Sequence, residues 1–531
     1  MEKFKILVAE RISEEGLAVF EAAPEMEFDV ELKLGRKELL DRIPLYDALV
    51  VRSKTKVDGE LIEKAGRLKI IGRAGNGIDN IDIEAATKKG VLVANTPESN
   101  TMSAAELAIG LMLAQSRNIP QATAHLKSGK WDRNLFKGTE LFGKTLGIIG
   151  LGRIGSLVAK RMRAFGMKIV AYDPYISDER FEKYHAEKKE KIEELIKVAD
   201  FITVHTPKTE ETIGMIGEKE IALMKKGVRL VNDARGGIIE ERALLNALKS
   251  GHVASAGIDV FEKEPCIGNP LFELDNIVVT PHLGASTHEA QQNVGETIAG
   301  QVIGGLRGEV VPNAVNLPAL NRENIEMVKP YLKLAEQMGK LYYQLDRDPA
   351  ESVSVSYYGD IAGQDVDLVT LAFLKGLLEP VVKEGVNYVN ARKLAEERGI
   401  HVRQKKDSAE KHQYRELMSV KVKNGRDTFE IAGNLSAKKE GRIVYILGYE
   451  VDVNPTEYMM FIQNMDVPGV IGRIGTILGK YGVNIATMQV GRNSPGEKAL
   501  MVLNVDGPVS PPVLEEITKK EEIMWAESVG L

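Results

Sequence analysis

Short aliphatic runs alternate with amphipathic stretches along the first 310 residues. FKILVA at 4–9, Ala48–Arg52, Lys69–Gly72 and Val91–Asn95 are strand candidates separated by helix-period segments. A strand buried on both faces reads as a continuous apolar run, so this alternation predicts parallel sheet with helices on either side. Thr101–Ser116 reads as one apolar helix, opened by Pro97 and the cap candidates Ser99, Asn100 and Thr101. A second α/β unit follows. Its strands are predicted at 146–149, Lys168–Tyr172, Asp200–His205, Val228–Asn232, Ala254–Asp259 and Ile277–Thr280.

The pattern changes at VPNAVNLPAL, residues 311–320, a Pro- and Asn-containing connector that reads as a boundary. Residues 321–452 predict helices near 325–346 and 366–384, then strand-like TFEIAGNL and GRIVYILGYEVDV. From Pro455 the order is strand (Tyr458–Gln463), helix (Val470–Tyr481), strand, strand, helix. That is enough chain for a small α+β module.

The stretch LGIIGLGRIGSLVAKRMRAFGMKIVAYD, residues 146–173, carries the clearest chemistry. Gly150-x-Gly152-x-x-Gly155 leaves a strand and opens a helix, and Asp173 ends the next strand. Glycines there permit a tight turn and bring backbone N–H groups to a pyrophosphate at the helix N-terminus. A carboxylate at Asp173 accepts from ribose hydroxyls and repels a 2′-phosphate, which selects NAD over NADP.

Composition adds mainly exclusions. The 531 residues are 44% hydrophobic and 27% charged, with a net charge of −6. No basic excess points to nucleic acid. The one cysteine, Cys266, allows no intrachain disulfide and is read as incidental. No apolar run reaches membrane-spanning length, and MEKFKILVAERIS reads as strand and helix start rather than a secretory signal. A cytoplasmic protein without metal or membrane partner is expected.

Three polar residues fall just past predicted strand ends: Arg235 in VNDARGG, Glu264 in GIDVFEKEP and His282 in VVTPHLGAST. Ligands of open α/β sheets bind at those ends. Singly, each is more commonly a surface or turn residue. Together, beside a dinucleotide motif, they supply an acid/base, a carboxylate behind it and an arginine for a substrate carboxylate.

These segments resemble the D-isomer-specific 2-hydroxyacid dehydrogenases over roughly residues 1–310. The resemblance implies that His282 is the acid/base, Glu264 its partner and Arg235 the substrate-orienting group. It implies NAD contacts at Gly150, Gly152, Arg153, Ile154, Gly155, Asp173, Thr206, Ala234 and Asp259. It further implies two Rossmann-like, doubly wound parallel-sheet domains. The substrate-binding one would comprise 1–97 and 286–318, and the NAD-binding one 98–285.

Arg52-Ser53-Lys54 and Asn76-Gly77 lie past strand ends in the first unit and form a plausible anion site. Extra positive charge suits a phosphorylated substrate. VVRSKTKV, GRAGNGIDNID and NTPESNTMSAAELAIG are similar to the branch of the family that oxidises 3-phosphoglycerate. In that branch a cation reaches over from the neighbouring subunit, and Arg133 in WDRNLFKGTEL is the candidate. Asn76 departs from the smaller residue or threonine common there. The alternatives are another hydroxyacid of the family (2-oxoglutarate, hydroxypyruvate or glyoxylate reduction) or a non-enzymatic NAD and amino-acid sensor.

IQNMDVPGVIGRIGTILGKYGVNIATMQVGR resembles an ACT domain, a βαββαβ ferredoxin-like module, expected over 455–531. The resemblance implies an amino-acid effector, L-serine, held by Asn464, Asp466 and Asn484. The alternative is that Asp466 caps a helix and Asn484 makes a turn. Residues 319–454 are similar to the α+β intervening domain of long family members. There Lys438, Lys439 and Arg442 read as a solvated basic turn before an anion site. A homo-oligomer, a dimer of dimers, is expected.

Overall fold

The computed structural model of the chain describes residues 3–318, 322–382, 385–407, 414–425 and 427–531. The first sheet is wholly parallel. Its strands are β1 (Phe4–Val8), β2 (Met26–Val30), β3 (Ala48–Val51), β4 (Ile70–Arg73) and β5 (Leu92–Ala94), in the order β2-β1-β3-β4-β5. Ile6, Leu7, Leu49, Val50, Ile70 and Ile71 are fully buried, because helices cover both faces. One of those helices, His288–Leu306, returns from beyond the second sheet and packs on β4. It crosses the helix Glu14–Glu21 at Gly16 and Gly295. A Cβ on Gly16 would lie 2.7 Å from the Gly295 carbonyl carbon, so only glycine permits this approach.

The second sheet is also parallel: β6 (Thr145–Ile149), β7 (Lys168–Tyr172), β8 (Glu187–Lys188), β9 (Phe201–Val204), β10 (Val228–Asn232), β11 (Val253–Ile258) and β12 (Ile277–Val279). The order β12-β11-β10-β9-β6-β7-β8 reverses winding between β6 and β9. That switch point opens a crevice at the carboxyl ends of the strands. The helix Thr101–Ser116 spans the expected residues and packs against β10 and β11.

The third sheet holds β13 (Ser352–Gly359), β14 (His401–Asp407), β15 (Glu416–Asn424), β16 (Asp427–Leu435), β17 (Gly441–Ile446) and β18 (Tyr449–Val453), ordered β14-β13-β15-β16-β17-β18. Only the β13–β14 pairing is parallel. Helices Arg322–Leu345 and Asp367–Leu378 pack closely at Gly339 and Gly376. A Cβ at Gly376 would lie 2.0 Å from the Glu336 carbonyl oxygen. The second helix stops short of the expected residue 384; residues 383–384, like the boundary expected at 319, lie outside the described residues.

The last sheet is antiparallel: β19 (Tyr458–Met465), β20 (Ile485–Arg492), β21 (Lys498–Val505) and β22 (Ile523–Gly530), ordered β20-β21-β19-β22. With helices Val470–Lys480 and Pro511–Thr518 it is a βαββαβ module. Met459, Phe461, Leu500, Val502 and Val529 join the core built around Tyr331, Leu334 and Met338, so the last two units share one interior. No helix among the described residues is long and apolar enough to cross a membrane.

Candidate active site

A cleft of about 1290 Å³ lies between the first two sheets, lined by strand-end loops from both. The glycine turn borders its second-sheet side. Gly150 has φ +91, and a Cβ there would meet the His205 carbonyl oxygen at 2.7 Å. A Cβ on Gly155 would sit 2.1 Å from the Gly150 carbonyl oxygen, so the helix Arg153–Ala164 starts against its own strand. Gly152 faces open space. The Asp173 carboxylate accepts from Leu151 N (2.9 Å) and Tyr175 N (3.1 Å), which fixes it beside the turn.

Three polar groups on this side have buried atoms without a hydrogen-bond partner: Thr206 Oγ1, and His205 Nδ1 and the Asp233 carboxyl, which face each other at 3.5 Å. Burial pushes His205 down to about 3 and Asp233 up to about 8, the latter helped by the nearby Asp259 charge. Both are therefore mainly neutral near pH 7. Asp259 is committed instead: it accepts from Thr280 Oγ1 (2.6 Å), Leu283 N (2.7 Å) and Gly284 N (3.0 Å). Burial raises its pKa, opposed by these bonds. Orphaned polar atoms beside an open glycine turn fit a bound dinucleotide, whose amide and hydroxyls would satisfy them. Asp233 escaped sequence reasoning, since a carboxylate there carries no motif of its own.

Arg235, Glu264 and His282 all line the cleft. His282 Nδ1 lies 2.7 Å from Glu264 Oε2, and Glu264 Oε1 accepts from Phe261 N at 3.0 Å. Burial opposes ionisation of Glu264, but the bonds to His282 and Phe261 prevail and hold its pKa below the ordinary value. An ionised Glu264 accepts a hydrogen bond from Nδ1–H, which leaves Nε2 to exchange a proton with a ligand. His282 sits in the left-handed region at φ 56, held by its N–H to the Asp259 carbonyl at 2.8 Å.

Arg235 donates to the Ala234 carbonyl (2.7 Å) and reaches Asp79 of the first unit at 3.6 Å. Gly77 makes room for it: a Cβ there would lie 2.4 Å from Arg235 Nη2. Arg52 and Ser53 line the cleft with Asn76 and Gly77, whereas Lys54 is exposed outside the lining. Arg73, at the end of β4, also enters the cleft, and its Nε is buried without a partner. Burial, with Arg235 and Arg52 repelling it, pulls its pKa down to about 10. Its adjacency to Asn76 in GRAGNG was the available sequence signal.

Arg133 stands exposed on a short 3-10 turn, away from this chain's own cleft lining. In the last unit Asp466 pairs with Arg492 at 3.1 Å, and Asn464 donates to the Met465 carbonyl at 2.7 Å. Asn484 donates to Asp506 at 2.7 Å. Met465 pairs with Lys498, whereas Ile485 pairs with Val505. The structure therefore places Asn464 and Asp466 at one end of the sheet and Asn484 at the other. Eight residues of β21 put roughly 25 Å between them, too far for one amino acid within one chain. Arg442 is tied to Asp452 at 2.6 Å, and Lys438 and Lys439 sit in an exposed turn.

The family model of the D-isomer specific 2-hydroxyacid dehydrogenase NAD binding domain matches residues 109–284. That of the D-3-phosphoglycerate dehydrogenase intervening domain matches 327–447, and that of the ACT domain 458–522. D-3-phosphoglycerate dehydrogenase of Methanocaldococcus jannaschii is 48% identical, with 99% of this chain and 100% of the relative covered. The enzyme of that name from Bacillus subtilis is 44% identical at the same coverage. The solved structure of NAD+-bound 3-phosphoglycerate dehydrogenase from Entamoeba histolytica matches with a TM-score of 0.50 and 33% identity, over 60% of this chain and 100% of that one.

Proposed function

The chain belongs to the D-3-phosphoglycerate dehydrogenase family, and from that premise we propose that it oxidises 3-phospho-D-glycerate to 3-phosphohydroxypyruvate with NAD, the opening step of phosphorylated L-serine synthesis. The observation that carries this reading is the 2.7 Å contact of His282 and Glu264 facing a cluster of arginines across one cleft. NAD, when bound along the glycine turn, supplies the two-electron acceptor for the C2–H bond.

The residues of the chain do the rest. His282 Nε2 takes the proton of the C2 hydroxyl, and Glu264 stabilises the imidazolium that results. Arg235 grips the substrate carboxylate in bidentate fashion and polarises the oxygen at C2. Arg52, Ser53 and Arg73 receive the phosphate, with Asn76 and Gly77 on the cleft wall. Lys54 is assigned a long-range electrostatic part. Arg133 is assigned to the cleft of a neighbouring subunit. The substrate-binding unit is assigned to 1–97 with 286–318, NAD binding to 98–285, the intervening domain to 319–454 and the ACT domain to 455–531.

A small-molecule effector at the ACT domain, L-serine, is assigned to Asn464 and Asp466 of one copy and Asn484 of another. Two copies related by a two-fold axis bring opposite sheet ends together, which one copy cannot do. This assignment requires at least a dimer, and the whole assembly is assigned as a dimer of dimers.

The test is NADH oxidation with 3-phosphohydroxypyruvate beside unphosphorylated hydroxypyruvate. A large preference in kcat/KM for the phosphorylated ketoacid supports the reading. Equal or reversed rates hand the substrate to another member of the wider family.

A further inference from the structure

We propose that Glu10 and Asn80 are positioning residues that set specificity for the phosphorylated substrate by clamping the backbone of the Arg52–Thr55 loop between them. The proposal rests on the reading of that loop as the phosphate-binding element. Beyond β3 the chain leaves the sheet, and no ladder partner remains for the N–H and C=O groups of these residues. Glu10 leaves the end of the neighbouring strand, β1, at the same level. Its Oε1 accepts from Arg52 N at 3.0 Å and Thr55 N at 2.8 Å, and its Oε2 from Lys54 N at 3.3 Å. From the other side, Asn80 Nδ2 donates to the carbonyls of Arg52 at 2.8 Å and Thr55 at 2.7 Å. Both ends of the loop are thus held through donor and acceptor alike.

The chemistry of the clamp fits an anion site. A carboxylate beside a phosphate pocket repels the ligand unless its charge is engaged. Here three N–H groups converge on it, and such charge-assisted bonds are roughly twice as strong as neutral ones. The Arg52 guanidinium does not pair with Glu10; its Nη1 lies 3.5 Å from the Arg11 carbonyl. Glu10 therefore fixes the backbone while the Arg52 side chain stays available to the cleft. A loop fixed beforehand loses less conformational freedom when the ligand arrives.

The experiment compares Glu10→Gln and Asn80→Ala with the parent protein on 3-phosphohydroxypyruvate and on hydroxypyruvate, with KM for NADH measured in each. Both variants are expected to lose about tenfold in kcat/KM on the phosphorylated substrate, through KM rather than kcat. Turnover of hydroxypyruvate and KM for NADH should hold. Equal losses on both substrates, or no loss on either, would overturn the clamp. If Glu10→Gln fails to fold, Asn80→Ala decides alone, since it loosens the same loop from the opposite side. A parent protein with no preference for the phosphorylated substrate sinks the phosphate reading, and the clamp with it. A parent with that preference and variants that keep it sink the clamp only.

Discussion

The two walls of the cleft are prepared in opposite ways. On the second-sheet wall, Thr206 Oγ1, His205 Nδ1 and the Asp233 carboxyl are buried without a hydrogen-bond partner, and His205 and Asp233 are mainly neutral near pH 7. On the facing wall, Arg52 and Arg73 stand with Arg235 of the second unit, and Asp79 lies 3.6 Å from the Arg235 guanidinium. The first arrangement awaits a ligand that brings donors and acceptors. The second awaits one that brings negative charge. Two wholly parallel sheets therefore build unlike sites from the same strand-end position, and the difference lies in what each loop leaves unsatisfied.

The largest break in that comparison is at the reacting atoms, where the walls meet. His282→Ala should lower kcat by about 10²- to 10⁴-fold while KM for NADH stays near the parent value. Steady-state kinetics in both directions checks this, and unchanged turnover would remove His282 from the mechanism. Gly155→Ala attacks the dinucleotide wall alone. Its Cβ would lie 2.1 Å from the Gly150 carbonyl oxygen, so strand and helix must separate. The expected strain is about 1–3 kcal/mol, read as a lower Tm and a raised KM for NADH. Arg73→Ala attacks the cationic wall alone. Loss of a charge-assisted contact should raise KM for 3-phosphohydroxypyruvate by about 10- to 100-fold and leave hydroxypyruvate little changed.

Parts of both walls were legible in the chain. The helix Thr101–Ser116 and the strand Val228–Asn232 have the predicted bounds, because a long mainly apolar helical run and a short mainly apolar, valine-rich run state their own type. The strands β2, MEFDV, and β14, HVRQKKD, were missed; both are sheet edges with mostly exposed or half-exposed residues, so neither reads as an apolar run. Among site residues, Arg235, Glu264 and His282 announce themselves by following apolar runs. Asp79 and Glu10 do not, since their partners lie across the cleft or on a neighbouring strand. The candidate effector residues are near one another in sequence, yet the register of β21 separates them.

The smallest expected effect sharpens the comparison on the neutral wall. Asp233 has its folded pKa raised to about 8 by burial, so the folded state keeps a proton that the unfolded chain releases near its ordinary value. Stability from this group is therefore present at low pH and lost as pH rises toward 8. His205 has the opposite sign: its folded pKa is depressed to about 3, so its share is lost as pH falls below the unfolded value of about 6.5. Between about pH 6.5 and 8 only Asp233 of this pair contributes a slope. Asp233→Asn keeps the shape and has no proton to lose. In thermal melts without cofactor, the variant should gain about 1–2 kcal/mol on the parent over that interval. A parent and variant whose Tm values run parallel from pH 6.5 to 8 would show Asp233 already ionised, and the wall charged rather than neutral.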